Sequence, residues 1–139
     1  MRQFTRGASL SRLDGRELAA LLARKAQEDA AAVHELAANP EISDGIIGFH
    51  AQQAIEKWLK AVMAARGIRE ARIHDIGRLL QLLEQDGATL PEAVDQLDEL
   101  TIYAVPLRYD ELLDAEPLDR GATIALMEAV RRWAGSSLG

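Results

Sequence analysis

Residues 49–60 read F-H-A-Q-Q-A-I-E-K-W-L-K, and this segment is the most informative part of the chain. Its apolar residues recur at helical spacing, yet Gln53, Glu56, Lys57 and Lys60 lie among them. Such side chains are costly to bury unless each finds a partner. A spacing of four places Glu56 beside Lys60 and Gln53 beside Lys57. The segment predicts either a solvated stripe of pairs within one helix, or a half-buried polar seam at a subunit interface or along a nucleotide- or RNA-binding cleft.

The composition predicts a single helical domain. With 139 residues and a mass of 15.2 kDa, the chain is large enough to bury a core without disulfides. Aromatic residues make up only 4% and β-branched residues are scarce, whereas alanine and leucine are frequent, which favours helix over strand. The sequence has no cysteine and no apolar run of bilayer-spanning length, so we expect a cytoplasmic protein.

Charge is unevenly distributed along the chain. Acidic residues outnumber basic ones by 22 to 16, and the net charge of −6 argues against an unselective nucleic-acid binder. Basic residues nevertheless concentrate on the second predicted helix and in the turn after it: Lys57, Lys60, Arg66, Arg69, Arg72 and Arg78. This basic region can face a phosphate or an acidic partner, whereas we expect the acidic residues between 84 and 116 to form a solvated face.

Apolar periodicity and capping residues predict five helices. Their predicted ranges are about 16–38, 44–66, 75–85, 89–104 and 118–134. Asp14 is the expected cap of the first helix, and Gly67 is well placed to end the second. The spacing of Thr89-Leu90-Pro91-Glu92 predicts a capping box at the start of the fourth.

These elements predict an all-α fold, an antiparallel up-and-down bundle of four to five helices with short connections. We expect residues 1–15 to form a flexible N-terminal arm, residues 16–134 the bundle, and residues 135–139 a frayed C-terminus.

The same segment carries a family resemblance. F-H-A-Q-Q-A-I-E-K-W-L-K, the later I-H-D-I at 73–76 and L-R-Y-D at 107–110 are together similar to the HEPN domain, the higher eukaryotes and prokaryotes nucleotide-binding domain. The resemblance runs from about Lys25 to Trp133. It implies an all-helical bundle that commonly dimerises.

The resemblance also bears on catalysis. Many HEPN proteins are metal-independent endoribonucleases, in which an arginine and a histidine a few residues later meet their copies across a dimer. Arg108 matches the position of that arginine, but the residues where the histidine should fall are Leu113, Asp114 and Ala115. Because the histidine is missing, we expect no strong catalysis from this chain.

What remains is similar to the smaller HEPN class that is encoded beside a minimal nucleotidyltransferase in two-component, toxin–antitoxin-like modules. That class has an R-Y segment, here Arg108-Tyr109, although Asp110 stands where it often has proline. The resemblance implies a homodimer that binds a nucleotide, RNA or a nucleotidyltransferase partner. The expected ligand or interface residues are Gln53, Glu56, Lys57, Lys60, Arg108 and Tyr109.

Two other functions stay open on the sequence. Arg69 and His74 have the spacing of the nuclease pair, so the first alternative is an endoribonuclease that uses them, or Arg108 with a distant histidine. The second is a non-catalytic dimerisation or adaptor module whose polar residues fix pairing register. His34, His50 and His74 lack the spacing of metal ligands and no glycine-rich phosphate loop is present, so we predict neither a metal nor a cofactor.

Overall fold

The computed structural model describes residues 12–69, 72–104 and 117–139. Within these ranges the chain forms five α-helices: α1 (Gly15–Leu36), α2 (Asp44–Ala65), α3 (Ile76–Gln85), α4 (Val94–Glu99) and α5 (Arg120–Leu138). A 3-10 helix, Leu100–Tyr103, follows α4 directly. The described residues form no strand, and the predicted all-α helical bundle is confirmed. None of the described helices combines the length and apolarity needed to cross a bilayer.

Side-chain caps explain where four of the helices begin. In α1 the Glu17 amide donates to Asp14 Oδ1 at 2.7 Å, and the Asp14 amide donates to Glu17 Oε1 at 3.0 Å. Ser43, Asp75 and Asp119 cap α2, α3 and α5 in the simpler one-way manner. These contacts satisfy amide groups that have no partner inside the helix.

Helix α2 lies at the centre of the bundle and packs against α1, α3, α5 and the 3-10 helix. Its contact with α1 is built from small residues, since Ala26 and Ala30 of α1 and Ala51 and Ala54 of α2 are all fully buried. Alanine lets two helices approach closely, so polar side chains at the edge of this contact can reach from one helix to the other.

Contacts at the helix ends fix the directions of α1, α2 and α5. A Cβ added at Gly15, at the start of α1, would lie 2.4 Å from the Ala64 carbonyl oxygen near the end of α2, so α1 and α2 are antiparallel. Arg120 at the start of α5 contacts Asp44 at the start of α2. Leu138 at the end of α5 packs against the alanine cluster that includes Ala64, so α5 runs in the direction of α2.

Arg120 joins the beginning of α5 to the turn between α1 and α2. Its Nε lies 3.1 Å from Asp44 Oδ1, and its Nη1 donates to the carbonyl oxygens of Ala37 at 3.0 Å and Asn39 at 2.9 Å. Its Nη2 donates to the carbonyl oxygen of Ile42. One guanidinium group thus satisfies several carbonyls that follow the end of α1 and have no partner within a helix.

Helix α3 is placed by the segment that follows α2. His74, two residues before α3, bonds to Glu56 near the middle of α2, and Arg66 bonds to Asp86 at the other end of α3. Helix α3 therefore lies along the second half of α2. Its buried face consists of Ile76, Leu79, Leu80 and Leu83.

The predicted start of the fourth helix is wrong. Helix α4 begins only at Val94, after Ala93 in the left-handed conformation (φ 60°, ψ 43°), and no side chain caps it. The carbonyl oxygen of Thr89 accepts a hydrogen bond from Trp133 Nε1 at 2.7 Å, and Pro91 is buried. These tertiary contacts hold residues 89–92 outside the helix and override the local capping signal.

Three helix ends also differ from the sequence prediction. The fourth helix, predicted to reach about residue 104, ends at Glu99, and the 3-10 helix Leu100–Tyr103 follows it. Helix α1 ends at Leu36, two residues early, and α5 continues to Leu138, beyond the predicted end at residue 134. Ser137 Oγ donates to the Trp133 carbonyl oxygen at 2.9 Å within the helix and Leu138 packs on the core, so a local hydrogen bond and a tertiary contact together sustain the last turn. Residues 1–11 of the predicted N-terminal arm lie outside the described residues.

Candidate functional site

One face of α2 points away from the bundle. Successive residues of a helix are rotated by about 100°, which places the following residues on one face: Ile46, Phe49, His50, Gln53, Lys57 and Lys60. The first turn of this face is apolar, and Ile46 is 47% exposed. The later turns are polar and half-buried. The side chains of His50, Gln53, Lys57 and Lys60 form the polar strip.

Glu56 lies along one edge of the polar strip and is almost completely buried, with 4% of its surface exposed. Its Oε2 lies 2.9 Å from Lys60 Nζ and 3.0 Å from His74 Nδ1, and its Oε1 lies 2.9 Å from Gln52 Nε2. Burial alone would raise the pKa of this carboxyl, but the hydrogen bonds from Lys60, Gln52 and His74 outweigh burial and hold its pKa below the ordinary value. Glu56 is therefore a buried anion at neutral pH.

Gln52 extends the contacts of Glu56 towards the segment before α3. Its side chain is fully buried, and Nε2 lies 3.3 Å from the carbonyl oxygen of His74 in addition to its bond to Glu56. Its Oε1 accepts a hydrogen bond from Gln53 Nε2 at 2.8 Å. Both ends of this buried amide are thus paired, as a polar group in a core requires.

Asp29 of α1 lies along the opposite edge of the polar strip. One carboxylate oxygen, Oδ1, lies 2.9 Å from His50 Nδ1, and the other, Oδ2, lies 2.5 Å from Lys57 Nζ. Only 13% of the Asp29 side chain is exposed, compared with 32% for His50 and 28% for Lys57. The two edges of the strip therefore have the same construction, in which one sheltered carboxylate contacts one imidazole and one lysine.

The predicted pairs within α2 are found only in part. Glu56 and Lys60 form the expected ion pair at 2.9 Å. Gln53 bonds instead to its neighbour Gln52, and Lys57 bonds to Asp29. The ammonium group of Lys57 pairs with a carboxylate from another helix in preference to an amide oxygen of its own, because the attraction between two opposite full charges is stronger than that between a charge and a neutral amide.

The structure describes two of the remaining predicted site residues, Arg69 and His74, and no hydrogen bond joins them. The Arg69 guanidinium donates to the carbonyl oxygen of Leu13, whereas His74 bonds to Glu56. Arg69 and His74 are thus directed to different partners. Arg108 and Tyr109 lie outside the described residues.

Sequence reasoning missed two residues of this site, Asp29 and Gln52. A signal for Gln52 existed, because an amide at a position that faces the core by helical spacing must find buried partners. No such signal marked Asp29, which is one of several acidic residues on α1. Its role depends on the packing of α1 against α2. The part of the chain that the structure describes holds no group of three or more histidine, aspartate or glutamate residues that could bind a metal ion.

Comparison with known proteins agrees with the resemblance seen in residues 49–60. The family model described as HEPN domain matches residues 19–137, which is most of the chain. Neither the curated proteins nor the solved structures gave a significant match. The matched range includes all of α2, most of α1 and the segment before α3, which carry the polar strip and the residues that contact it. The chain belongs to the HEPN domain family.

Proposed function

We propose that this chain is the nucleotide- or RNA-binding component of a two-component, toxin–antitoxin-like module, that it acts as a homodimer, and that its partner is a minimal nucleotidyltransferase. Membership of the HEPN family supports a nucleotide- or RNA-related role. One structural observation carries the proposal further: two lysines and two histidines are gathered around one accessible face of α2 by contacts from α1 and from the segment before α3.

The polar strip has donors to offer to a phosphate. A lysine ammonium group has three donors. Within the described structure Lys57 uses one of them on Asp29, and 28% of its side chain is exposed. Asp29 also fixes the position of the ammonium group, so less side-chain freedom is lost when a ligand binds. Gln53 lies about one turn before Lys57 on the same face of α2 and adds an amide that can recognise a ligand by hydrogen bonding.

Calorimetric titration of the purified protein with ATP, GTP and a short single-stranded RNA tests the binding. Lys57→Gln removes a charge from the polar strip, and Arg132→Gln removes one from the exposed surface of α5 as a matched control. We expect about tenfold weaker binding for Lys57→Gln, or about 1.4 kcal/mol, and no change for Arg132→Gln. Equal affinities for the two variants would contradict binding at the strip. If none of the three ligands binds, the adaptor function remains.

A second experiment separates binding from cleavage. The ribonuclease alternative requires metal-free cleavage of RNA that depends on a histidine. Because Arg69 and His74 have separate partners, we expect no cleavage when labelled RNA is incubated with the protein in the presence of a chelator. Cleavage that is lost in His74→Gln but kept in His34→Gln would overturn the non-catalytic part of the proposal.

The assembly is tested separately from the ligand. Light scattering of the purified protein should give twice the chain mass of 15.2 kDa. A nucleotidyltransferase encoded next to this chain should co-elute with it after co-expression. A monomer at working concentration, or separate elution of the two proteins, would contradict this part of the proposal.

A further inference from the structure

The two histidines at the edges of the polar strip are held in the same way. His50 Nδ1 lies 2.9 Å from Asp29 Oδ1, and His74 Nδ1 lies 3.0 Å from Glu56 Oε2. A carboxylate only accepts, so in both rings the Nδ1 atom carries a hydrogen and donates it. Within the described residues, the Nε2 atom of neither ring has a hydrogen-bond partner, and Nε2 is where each ring gains or loses a proton.

The charges of the two lysines of the strip and of the two carboxylates at its edges cancel. Lys57 and Lys60 contribute two positive charges, and Asp29 and Glu56 contribute two negative ones, so their sum is zero. Each imidazole that gains a proton adds one positive charge. The group as a whole therefore changes from neutral to a charge of +2 when both histidines are protonated.

Other charged groups on the surrounding elements do not change this dependence on pH. Carboxylates, ammonium groups and guanidinium groups keep their charge between pH 6 and pH 8, the range in which histidine titrates. Besides the groups of the strip, the described residues of the neighbouring elements carry the following charged side chains: Arg16, Glu17, Arg24, Lys25, Glu28 and Glu35 of α1, Asp44 of α2, Arg66, Arg69, Arg72 and Asp75 between α2 and α3, Arg78, Glu84 and Asp86 of α3 and its end, and Asp95, Asp98 and Glu99 of α4. The histidine of α1, His34, pairs with Glu128 outside the strip.

We propose that the polar strip binds phosphate groups together with protons, which are taken up by His50 and His74. The inference rests on the proposed function and specifies its site: the ligand is the phosphate of a nucleotide or of an RNA backbone, and it contacts the strip from the exposed side of α2. Exposure permits this contact, because 32% of the His50 side chain and 64% of the His74 side chain are accessible.

The direction of the effect follows from linkage. An anion beside the imidazoles favours their protonated form, so the complex holds more protons than the free protein does. Affinity must then rise as the pH falls. The geometry also explains why the carboxylates do not repel the ligand completely, since Asp29 and Glu56 at the edges of the strip are sheltered and the imidazoles and Lys57 are more exposed.

Calorimetry at pH 6 and pH 8 measures this coupling. The first ligand is a single-stranded oligoribonucleotide without terminal phosphates, because its diester groups keep one charge throughout the range; the second is ATP, whose terminal phosphate titrates near pH 6. Repeating each titration in two buffers of different ionisation enthalpy gives the number of protons taken up. We expect affinity for a phosphate ligand to be about tenfold higher at pH 6 than at pH 8, which corresponds to a shift of one unit in one titration midpoint.

The comparison of the two ligands identifies the source of the phosphate. Proton uptake with the oligoribonucleotide but not with ATP assigns the site to RNA. Uptake with ATP but not with the oligoribonucleotide assigns it to a nucleotide. Binding that is accompanied by proton uptake with neither ligand overturns the inference and leaves the proposed function intact. Absence of binding by both ligands at both pH values overturns the two together.

Single substitutions assign the protons to residues. His50→Gln and His74→Gln each keep a side-chain donor for the carboxylate but cannot titrate, so each should reduce proton uptake. His34→Gln is the matched control, because His34 pairs with Glu128 of α5 outside the strip. Equal uptake in all three variants and the natural chain would overturn the inference.

Nuclear magnetic resonance of the imidazole rings provides a test that needs no substitution. Ligand should move the titration midpoints of His50 and His74 to higher pH and leave that of His34 unchanged. This measurement decides the question even if a strip variant is poorly folded. Midpoints that do not move in the presence of bound ligand would refute proton coupling.

Discussion

At the scale of single residues, the buried carboxylate of Glu56 connects several residues of the site. Its carboxylate is reached by Lys60 and Gln52 from the same helix and by His74 from the segment before α3. Burying a charge is costly, and the cost is offset only when the hydrogen-bonding capacity of the group is filled. The three donors meet that condition, which explains how a carboxylate can be buried at the edge of the polar strip.

Replacement of Glu56 by leucine should therefore be severe. It would leave the half-buried Lys60 without this carboxylate and Gln52 without its main acceptor, at a cost of about 3–5 kcal/mol in the free energy of unfolding. Urea denaturation followed by circular dichroism measures this cost. Glu28→Leu is the control. Within the described residues Glu28 forms only an exposed pair with Lys25 at 3.5 Å, so its replacement should change stability by less than about 0.5 kcal/mol. Similar losses in both variants would contradict the role given to Glu56.

The ionisation of Glu56 also predicts a dependence of stability on pH. The pKa of the folded state lies below the ordinary value of 4.5, so the ionised carboxylate stabilises the protein fully above pH 4.5. That contribution disappears as the pH falls from 4.5 through the lowered pKa. In Glu56→Gln, stability should consequently fall less steeply between about pH 5 and pH 3. Urea denaturation at intervals of pH measures the two slopes, and identical slopes would count against the prediction.

The stability of Glu56→Gln should still depend on pH in this range, because the carboxyl of Glu128 also has a lowered pKa. Burial acts to raise the pKa of Glu128, but hydrogen bonds and charges from His34 and Arg131 outweigh it and lower the pKa. Glu128 therefore loses a stabilising contribution over the same acidic range, in the same direction.

At the scale of the helices, two glycines differ in how closely neighbouring atoms pack against them. Gly48 of α2 lies against the buried ring of Tyr103, and a Cβ added to it would be 2.4 Å from Tyr103 Cδ1. Gly135 of α5 has open space around the same position. Glycine in a helix normally costs about 0.5–1 kcal/mol relative to alanine, so the two sites should respond to alanine with opposite signs.

Gly135→Ala should raise the free energy of unfolding by about 0.5–1 kcal/mol. Gly48→Ala should lower it by about 1–3 kcal/mol, because the methyl group must displace the Tyr103 ring and with it the 3-10 helix. Thermal or urea denaturation of the two variants tests the contrast. A shift in the same direction for both would show that Tyr103 does not pack on α2 as described.

The helices differ in how accurately their starting residues can be predicted from the sequence. The starts of α1, α2, α3 and α5 were predicted within a few residues, because a cap and an apolar period coincide there. The start of α4 was not, because residues 89–92 are held by contacts that include Trp133, which lies more than forty residues later. The polar residues of α2 were predicted to need partners, but the partners Asp29 and His74 come from other elements. Local sequence shows that a buried polar group requires a partner and leaves its identity to tertiary packing.

At the scale of the whole molecule, a net charge of −6 opposes the binding of any polyanion. The attraction proposed for the polar strip is local and acts within a shell of about 8–10 Å at physiological ionic strength. A protein of this kind is expected to hold one or two phosphates selectively, without the broad affinity of a basic surface. The charge distribution thus favours a discrete ligand over extended wrapping of RNA.

The salt dependence of binding measures this difference. Two lysines at the strip should give a slope of log affinity against log salt of about −1 to −2 for a single-stranded RNA, and protonation of the two histidines at pH 6 should steepen it to about −3. Titrations at several salt concentrations and at both pH values provide the slopes. A slope steeper than about −6 at pH 8 would indicate many more phosphate contacts than the strip supplies.

The position of Arg120 has a consequence for synthesis on the ribosome. Its guanidinium satisfies the turn between α1 and α2, yet it lies 83 residues after Ala37 in the chain. At translation rates of about 5–20 residues per second, Arg120 is added to the chain several seconds after α1 and α2, the first helical hairpin, have been synthesised. Until then the carbonyl groups of the turn are exposed to water, and the apolar faces of α1 and α2 are not yet covered by the later helices. The nascent hairpin of α1 and α2 therefore exposes the apolar surface that a chaperone binds. We expect the chaperone to bind at this stage and to dissociate when α5 is synthesised.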